Sequence, residues 1–292
     1  MGHSNVFRRS IYLFAAPAFI LYIVFWVTPV GMSFGYSLTN WSGVGNNPRF
    51  IGLKNYEYLL ADGTLLNLVK NTLVYALFTI VYGNIVSLVA ALALDRASKL
   101  TGVYRTAFYL PTLYSSIVVG FVWGFVYMPN YGFLAKILAA IGIGDPNLLG
   151  NSSSSLIAVA FVDSWKAIGM YAMIYLAGLK NVPEDLIESG LIDGCKWRHL
   201  VFNIKLPLIA PSITINVVLG LINGMKSFDY VYLLTSGGPG SSSRTIMFGV
   251  YQTAFGENLF GKAAAIAVVA FLLIFTLTIF IVHFLRAREV EA

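Results

Sequence analysis

The sequence predicts an all-α integral membrane protein, and three observations carry that expectation. Of its 292 residues, 58% are hydrophobic and only 11% charged, whereas a soluble chain carries about a quarter of its residues as charges. The charges are also bunched into short interruptions between apolar runs. Six of those runs are long enough to cross a ~30 Å hydrocarbon core, which takes roughly 20 helical residues at 1.5 Å each.

The first run, about Ile11–Met32, follows Arg8 and Arg9. It is long for the apolar core of a secretory signal and has no small-x-small site at its far end, so it reads as a retained span. The second, Val69–Leu94, and the third, Phe108–Met128, carry no charged residue other than Lys70. The fourth, Leu156–Leu179, holds Asp163 and Lys166, and the fifth, Ile209–Thr235, is the least regular because it contains Asn223, Lys226 and Asp229. The sixth runs over Ala263–Leu285. No repeat of fixed period and no low-complexity linker longer than Ser152–Ser155 divides the chain, so a single transmembrane domain is expected over residues 1–292.

Lysine and arginine set the orientation, because cytoplasmic loops carry an excess of both. With the N-terminus cytoplasmic, that side holds eleven of them and the other side six, while Lys166 and Lys226 fall inside spans. Both termini are therefore expected in the cytoplasm, and so is the stretch 181–207 between spans four and five. The net charge of +6 follows topology rather than a nucleic-acid footprint, and the expected surroundings are lipid.

Several chemistries lack their residues. The single cysteine, Cys195, rules out an internal disulfide and a Cys-x-x-Cys site. His3, His199 and His283 lie far apart, so no metal site is expected. The only Gly-Lys pair, Gly261–Lys262, is followed by alanine and does not make a phosphate-binding loop. No Ser/His/Asp set or carboxylate pair suited to catalysis appears, so no catalytic residue and no cofactor bound by this chain are expected.

The cytoplasmic stretch is the most charged part of the sequence. Pro183 followed by Glu184 and Asp185 reads as the first turn of a helix, where proline loses nothing and acids favour the positive end of the dipole. Gly190 and Gly194 weaken that helix, and Trp197, Leu200, Val201 and Ile204 give a second short helix one apolar face. Pro207 and Pro211 mark the return to the membrane. Such an element can lie under the headgroups or dock a soluble partner.

Glu188, then Gly194, nine intervening residues, then Ile204, Leu206 and Pro207 follow a motif of the form E-x5-G-x9-I-x-L-P. The segment resembles the EAA loop of the permease subunits of bacterial ATP-binding-cassette importers. FDYVYLLTSGGP at 228–239, and Arg105 with YLP at 109–111, resemble segments of the carbohydrate branch, the maltose and glycerol-phosphate permease family. Ser189 and Gly190 replace the usual alanines after the glutamate, and Cys195 stands where alanine is usual, but all three are small.

The resemblance implies the type I importer permease fold, with six spans and a coupling loop at 181–207 that seats in a groove on an ATPase. Glu188, Asp193, Gly194, Ile204, Leu206 and Pro207 would form it. It further implies a bacterial cytoplasmic (inner) membrane location, a second permease subunit that is usually a distinct chain, two ATPase subunits that use ATP and Mg, and an extracytoplasmic solute-binding protein.

In that family the substrate is held near the midplane, and the matching positions are Thr112 and Ser116, then Trp165, Lys166 and Met170, then Gly220, Asn223 and Gly224. Hydroxyls and amides suit sugar hydroxyls, an aromatic face suits a pyranose ring, and glycines leave room. Trp165 and Met170 could equally be packing. Lys166 and Lys226 each have an aspartate three residues away, Asp163 and Asp229, so mutual neutralisation is an alternative to facing the pathway. The function expected is a non-catalytic membrane subunit of an ATP-driven sugar or oligosaccharide importer, working by alternating access. An ion-coupled secondary transporter is the alternative, and only Asp163 and Asp229 could serve it.

Overall fold

The computed structural model describes residues 15–45, 48–95, 101–142, 144 and 147–287. The start of the first expected span, residues 11–14, and Arg8, Arg9, Arg96, Lys99 and Arg288 of the orientation argument lie outside the described residues. The chain divides into two compact units, Met1–Thr64 with Val250–Val269, and Leu65–Gly249 with Ala270–Ala292.

In the first unit, α1 (Ala15–Ser37) is apolar and largely exposed up to the buried Ser37 at its end, an arrangement stable in hydrocarbon or against another apolar surface. A π-helical turn at Ile23–Val27 precedes Pro29, and the Thr28 hydroxyl donates back to the Ile23 carbonyl at 2.9 Å. The following loop is tied to α2 (Lys54–Ala61): Asn55 Nδ2 donates to the Ser37 and Thr39 carbonyls, each at 2.8 Å. Gly261 donates its N–H to the Trp41 carbonyl, and an added Cβ there would run into the Thr39 carbonyl.

The second unit is built on α3 (Thr64–Asp95), whose 32 residues rise about 48 Å. It is followed by α4 (Thr101–Leu113), α5 (Ser116–Val126), α6 (Phe133–Ala140) and α7 (Ser155–Lys180). Next come α8 (Glu184–Ile192), α9 (Trp197–Leu208), α10 (Ala210–Met225) and α11 (Asp229–Leu234), while α12 (Ile246–Tyr251) and α13 (Phe260–Arg286) each run across the division between the units. Tyr75, Val159, Val162 and Val231 form one core cluster, and Ala91, Leu94, Leu179 and Ile209 form another near the far end of α3.

Spans two, four and six appear as the single helices α3, α7 and α13, each slightly longer than expected. The third and fifth differ. Residues 108–128 are not one helix: α4 and α5 meet at 98°. Pro111 supplies no N–H to the end of α4, and Ser115 caps α5 by accepting from the Val118 N–H at 3.3 Å.

The fifth expected span, Ile209–Thr235, stops at Met225, so its 16-residue helix rises only ~24 Å. Lys226–Phe228 leave the helix and α11 starts afresh. At the other end, Ile209 separates α9 from α10 at 71°, between Pro207 and Pro211.

Candidate functional site

The two broken spans end at one place. The start of α5, the non-helical Lys226–Phe228 after α10, and the start of α11 bound a polar cavity of about 200 Å³, closed by Tyr75 from α3 and Asp163 from α7. The Tyr75 hydroxyl donates to Asp163 Oδ2 at 2.9 Å, and Lys166 Nζ donates to Ser116 Oγ at 3.3 Å. One turn back, the Thr112 hydroxyl donates to the Lys166 carbonyl at 2.9 Å, which pins the end of α4 to α7. Asn223 Nδ2 reaches the Tyr171 hydroxyl at 3.4 Å.

Two lining groups are unsatisfied. The buried Ser227 Oγ and Tyr230 hydroxyl have no hydrogen-bond partner among the described residues. A buried polar group left so costs about 1–3 kcal/mol, a deficit that water or a ligand hydroxyl removes.

A larger cavity of about 640 Å³ lies among α3, α5, α6 and α7, walled by Phe78, Trp123, Phe133, Leu148 and Phe161. Ser153 and Ser154 are the small polar side chains on its wall. It can take an apolar group but offers few polar contacts to fix the orientation of a hydroxylated one. The chemistry of the walls therefore outweighs size, and the smaller cavity is the candidate.

The sequence-derived residues divide accordingly. Ser116 and Asn223 line the polar cavity, and Lys166 and Thr112 touch its wall. Trp165 packs edge-on against Trp123, with ring centroids 5.4 Å apart, and Met170 is exposed. Gly220 and Gly224 are buried against α3: a Cβ on Gly224 would lie 2.7 Å from the Ala76 Cα, and one on Gly220 3.4 Å from Ile80. The room those glycines leave is occupied by a neighbouring helix.

Among the described residues, neither Lys166 nor Lys226 forms an ion pair with its neighbouring aspartate. Asp163, Lys226 and Asp229 instead all face the cavity. Sequence reasoning missed Tyr75, Ser227 and Tyr230 as site residues. The one signal for Tyr75 is a phenol well inside an apolar run, since tyrosine in membrane helices concentrates at the interfaces.

The stretch 181–207 is a two-helix knob. Pro183 is the residue just before α8, with Glu184 and Asp185 in its first turn. Gly194 ends α8 at φ +75°, and the N–H of Cys195 reaches back to the Gly190 carbonyl at 2.9 Å. Leu200 and Val201 of α9 are buried, and a Cβ on Gly190 would press on Leu200 and Ile204 at 2.9 and 3.0 Å, so the helices meet at this glycine. Glu188, Asp193, Leu191 and Ile192 are exposed, Ile192 by 85%, while Ile204, Leu206 and Pro207 are half-buried at the root.

Residues 83–290 match the family model described as "Binding-protein-dependent transport system inner membrane component". The chain is 34% identical over 290 residues to the probable starch degradation products transport system permease protein of Thermoanaerobacterium thermosulfurigenes, covering 99% of this chain and 98% of that one. It is 33% identical over 257 residues to the multiple sugar-binding transport system permease protein of Streptococcus mutans serotype c, covering 87% and 88%. With the sn-glycerol-3-phosphate transport system permease protein of Agrobacterium fabrum it shares 31% over 289 residues, 98% of each chain. Its fold matches a chain in the crystal structure of a bacterial alginate ABC transporter with an alginate pentasaccharide-bound periplasmic protein, at a TM-score of 0.84, 20% identity and 99% coverage of both chains.

Proposed function

The chain belongs to the family of binding-protein-dependent transport inner membrane components, and from that premise we propose that it forms half of the membrane pathway of an ATP-driven sugar or oligosaccharide importer. The chain is non-catalytic and multi-pass. In this reading residues 1–292 are one transmembrane domain of a bacterial cytoplasmic membrane protein with both termini cytoplasmic. A second, distinct permease chain completes the pathway, two ATPase subunits use ATP and Mg, and a solute-binding protein delivers the ligand outside. The knob at 181–207 docks on an ATPase through Glu188, Asp193 and the turn at Gly194, with Ile204, Leu206 and Pro207 fixing its root.

The observation that carries the pathway reading is the polar cavity where both broken spans end, with the Ser227 and Tyr230 hydroxyls left unpaired. Helix breaks within a bilayer are tolerated where the freed backbone lines a cavity, and transporters bind substrate at such breaks. Thr112, Ser116, Lys166 and Asn223 build or buttress this wall, whereas Trp165, Gly220 and Gly224 hold its frame and Met170 stays exposed. The starch-product and multiple-sugar relatives supply the ligand class. Asp163 and Asp229 are offset by Lys226 in the lining and by Lys166, whose Nζ reaches Ser116 on its wall, so the wall carries no net charge and suits a neutral sugar better than an acidic one.

The test is purification of the complex in mild detergent and an ATPase assay with binding proteins loaded with neutral or acidic oligosaccharides. A co-purifying ATPase stimulated by a neutral-sugar-loaded binding protein is the expected result. Stimulation by the acidic ligand alone refutes the charge argument, and a chain that recruits no ATPase refutes the importer assignment.

A further inference from the structure

The docking knob leaves the membrane domain at two roots, and both are tied to the same side chain. Asp95 is the last residue of α3. Its Oδ1 lies 2.9 Å from Nζ of Lys180, the last residue of α7, immediately before the knob. Its Oδ2 lies 2.5 Å from Nζ of Lys205, inside the I-x-L-P segment where the knob returns. Lys180 Nζ also reaches the Asp95 carbonyl at 3.2 Å. One carboxylate thus gives one oxygen to each root.

The two contacts differ in strength for a physical reason. The Lys180 side chain is 54% exposed, so solvent screens its pair with Asp95 and little is gained from it. Lys205 and Asp95 are only 16% and 12% exposed. Removing Asp95 therefore strands a largely buried ammonium at the return root, and breaking a buried pair is far costlier than losing a surface one. Beneath the pair, Ala91, Leu94, Leu179 and Ile209 pack together, so both roots and the end of α3 sit on one apolar plug.

The same helix carries Tyr75 in the wall of the polar cavity, about 30 Å from Asp95 at 1.5 Å per residue. A helix is stiff along its axis, so a displacement imposed at Asp95 arrives at Tyr75 and, through its hydrogen bond, at Asp163.

We propose that Asp95 is a positioning residue for energy coupling: it clamps both roots of the docking knob to α3, making that helix the lever that carries ATPase motion to the substrate cavity. The proposal rests on the docking assignment above. It requires that a complex that assembles without the clamp still hydrolyses ATP but moves less sugar per ATP.

The experiment uses the whole complex in proteoliposomes and measures sugar transported per ATP hydrolysed for wild type, Asp95→Asn, Asp95→Glu and Lys205→Gln, with subunit stoichiometry and melting temperature recorded for each. For Asp95→Asn and Lys205→Gln the ratio should fall at least about fivefold, the lower end of coupling between distant sites. Asp95→Glu, which keeps the charge, should retain most of it.

An Asp95→Asn complex that transports as much sugar per ATP as wild type overturns the clamp while leaving the importer assignment standing. If Asp95→Asn does not assemble, Lys205→Gln decides alone, because it leaves Lys180 on Asp95; an unchanged ratio there overturns the proposal. A wild-type chain that binds no ATPase refutes the docking assignment instead.

Discussion

Gly169 offers the sharpest test of how α7 meets α4. It is buried on α7, and a Cβ placed there collides with the Phe108 carbonyl oxygen and lies 2.8 Å from the Tyr109 Cα. Both obstacles are backbone of a formed helix, so no side chain can swing aside and α4 must retreat. Overpacking of this kind costs about 1–3 kcal/mol, and a clash with backbone belongs at or above the upper end. Alanine regains ~1 kcal/mol of helix propensity over glycine, leaving Gly169→Ala about 2 kcal/mol less stable.

That cost corresponds to a melting temperature lower by roughly 5 °C. The retreat also pulls Thr112 from the Lys166 carbonyl, so transport should fall by more than stability alone explains. Gly124→Ala is the matched control, because its nearest neighbour, Leu234 Cδ2, would be 4.0 Å away. The assay is thermal unfolding of the purified complex together with sugar uptake. A Gly169→Ala complex that melts with wild type and the control refutes the contact.

Three further outcomes are expected. Gly194→Asp should abolish uptake with membrane insertion intact, and Gly194→Asn should do less harm than Gly194→Val, because asparagine tolerates the φ of +75° that a β-branched residue resists; immunoblotting of membranes beside uptake separates the effects. Ser227→Ala should raise the melting temperature slightly by removing an unpaired hydroxyl, yet raise the KM for uptake several-fold, about 1 kcal/mol of lost ligand hydrogen bonding. Thr245→Val removes the hydroxyl that donates to the Ser227 carbonyl at 2.7 Å, and should cost about 1–3 kcal/mol in thermal unfolding, with Thr245→Ser recovering most of it.

Spans two, four and six were legible because long, mostly apolar runs end at charged residues, and the observed helices reach Asp95, Lys180 and Arg286. The break in span five was half-legible: Asn223, Lys226 and Asp229 marked its weak point. The bend between α4 and α5 was not, since Tyr114 and Ser115 are ordinary residues of an apolar run and composition cannot distinguish a bent span from a straight one. Gly220 and Gly224 were read as space for a ligand, but a glycine signals only that something approaches closely, and here that is α3. Asp95 pairs with lysines 85 and 110 residues away, a separation across which sequence pattern carries no information.

The broken spans and the polar cavity are best understood as one feature. A bilayer has no water to satisfy backbone groups, so a helix interrupted at depth needs local partners. The structure supplies them from side chains at the breaks: Ser115 receives the Val118 N–H, and Thr245 serves the Ser227 carbonyl. Each such partner brings a polar group to a place where hydrocarbon would otherwise exclude it. The Ser227 and Tyr230 hydroxyls exceed what the backbone requires, and it is this surplus that makes the site suited to a hydroxylated ligand. The uninterrupted α3 runs past the same place and on to Asp95, which pairs with Lys180 and Lys205 at the two roots of the 181–207 knob, so one continuous helix joins the cavity to that knob.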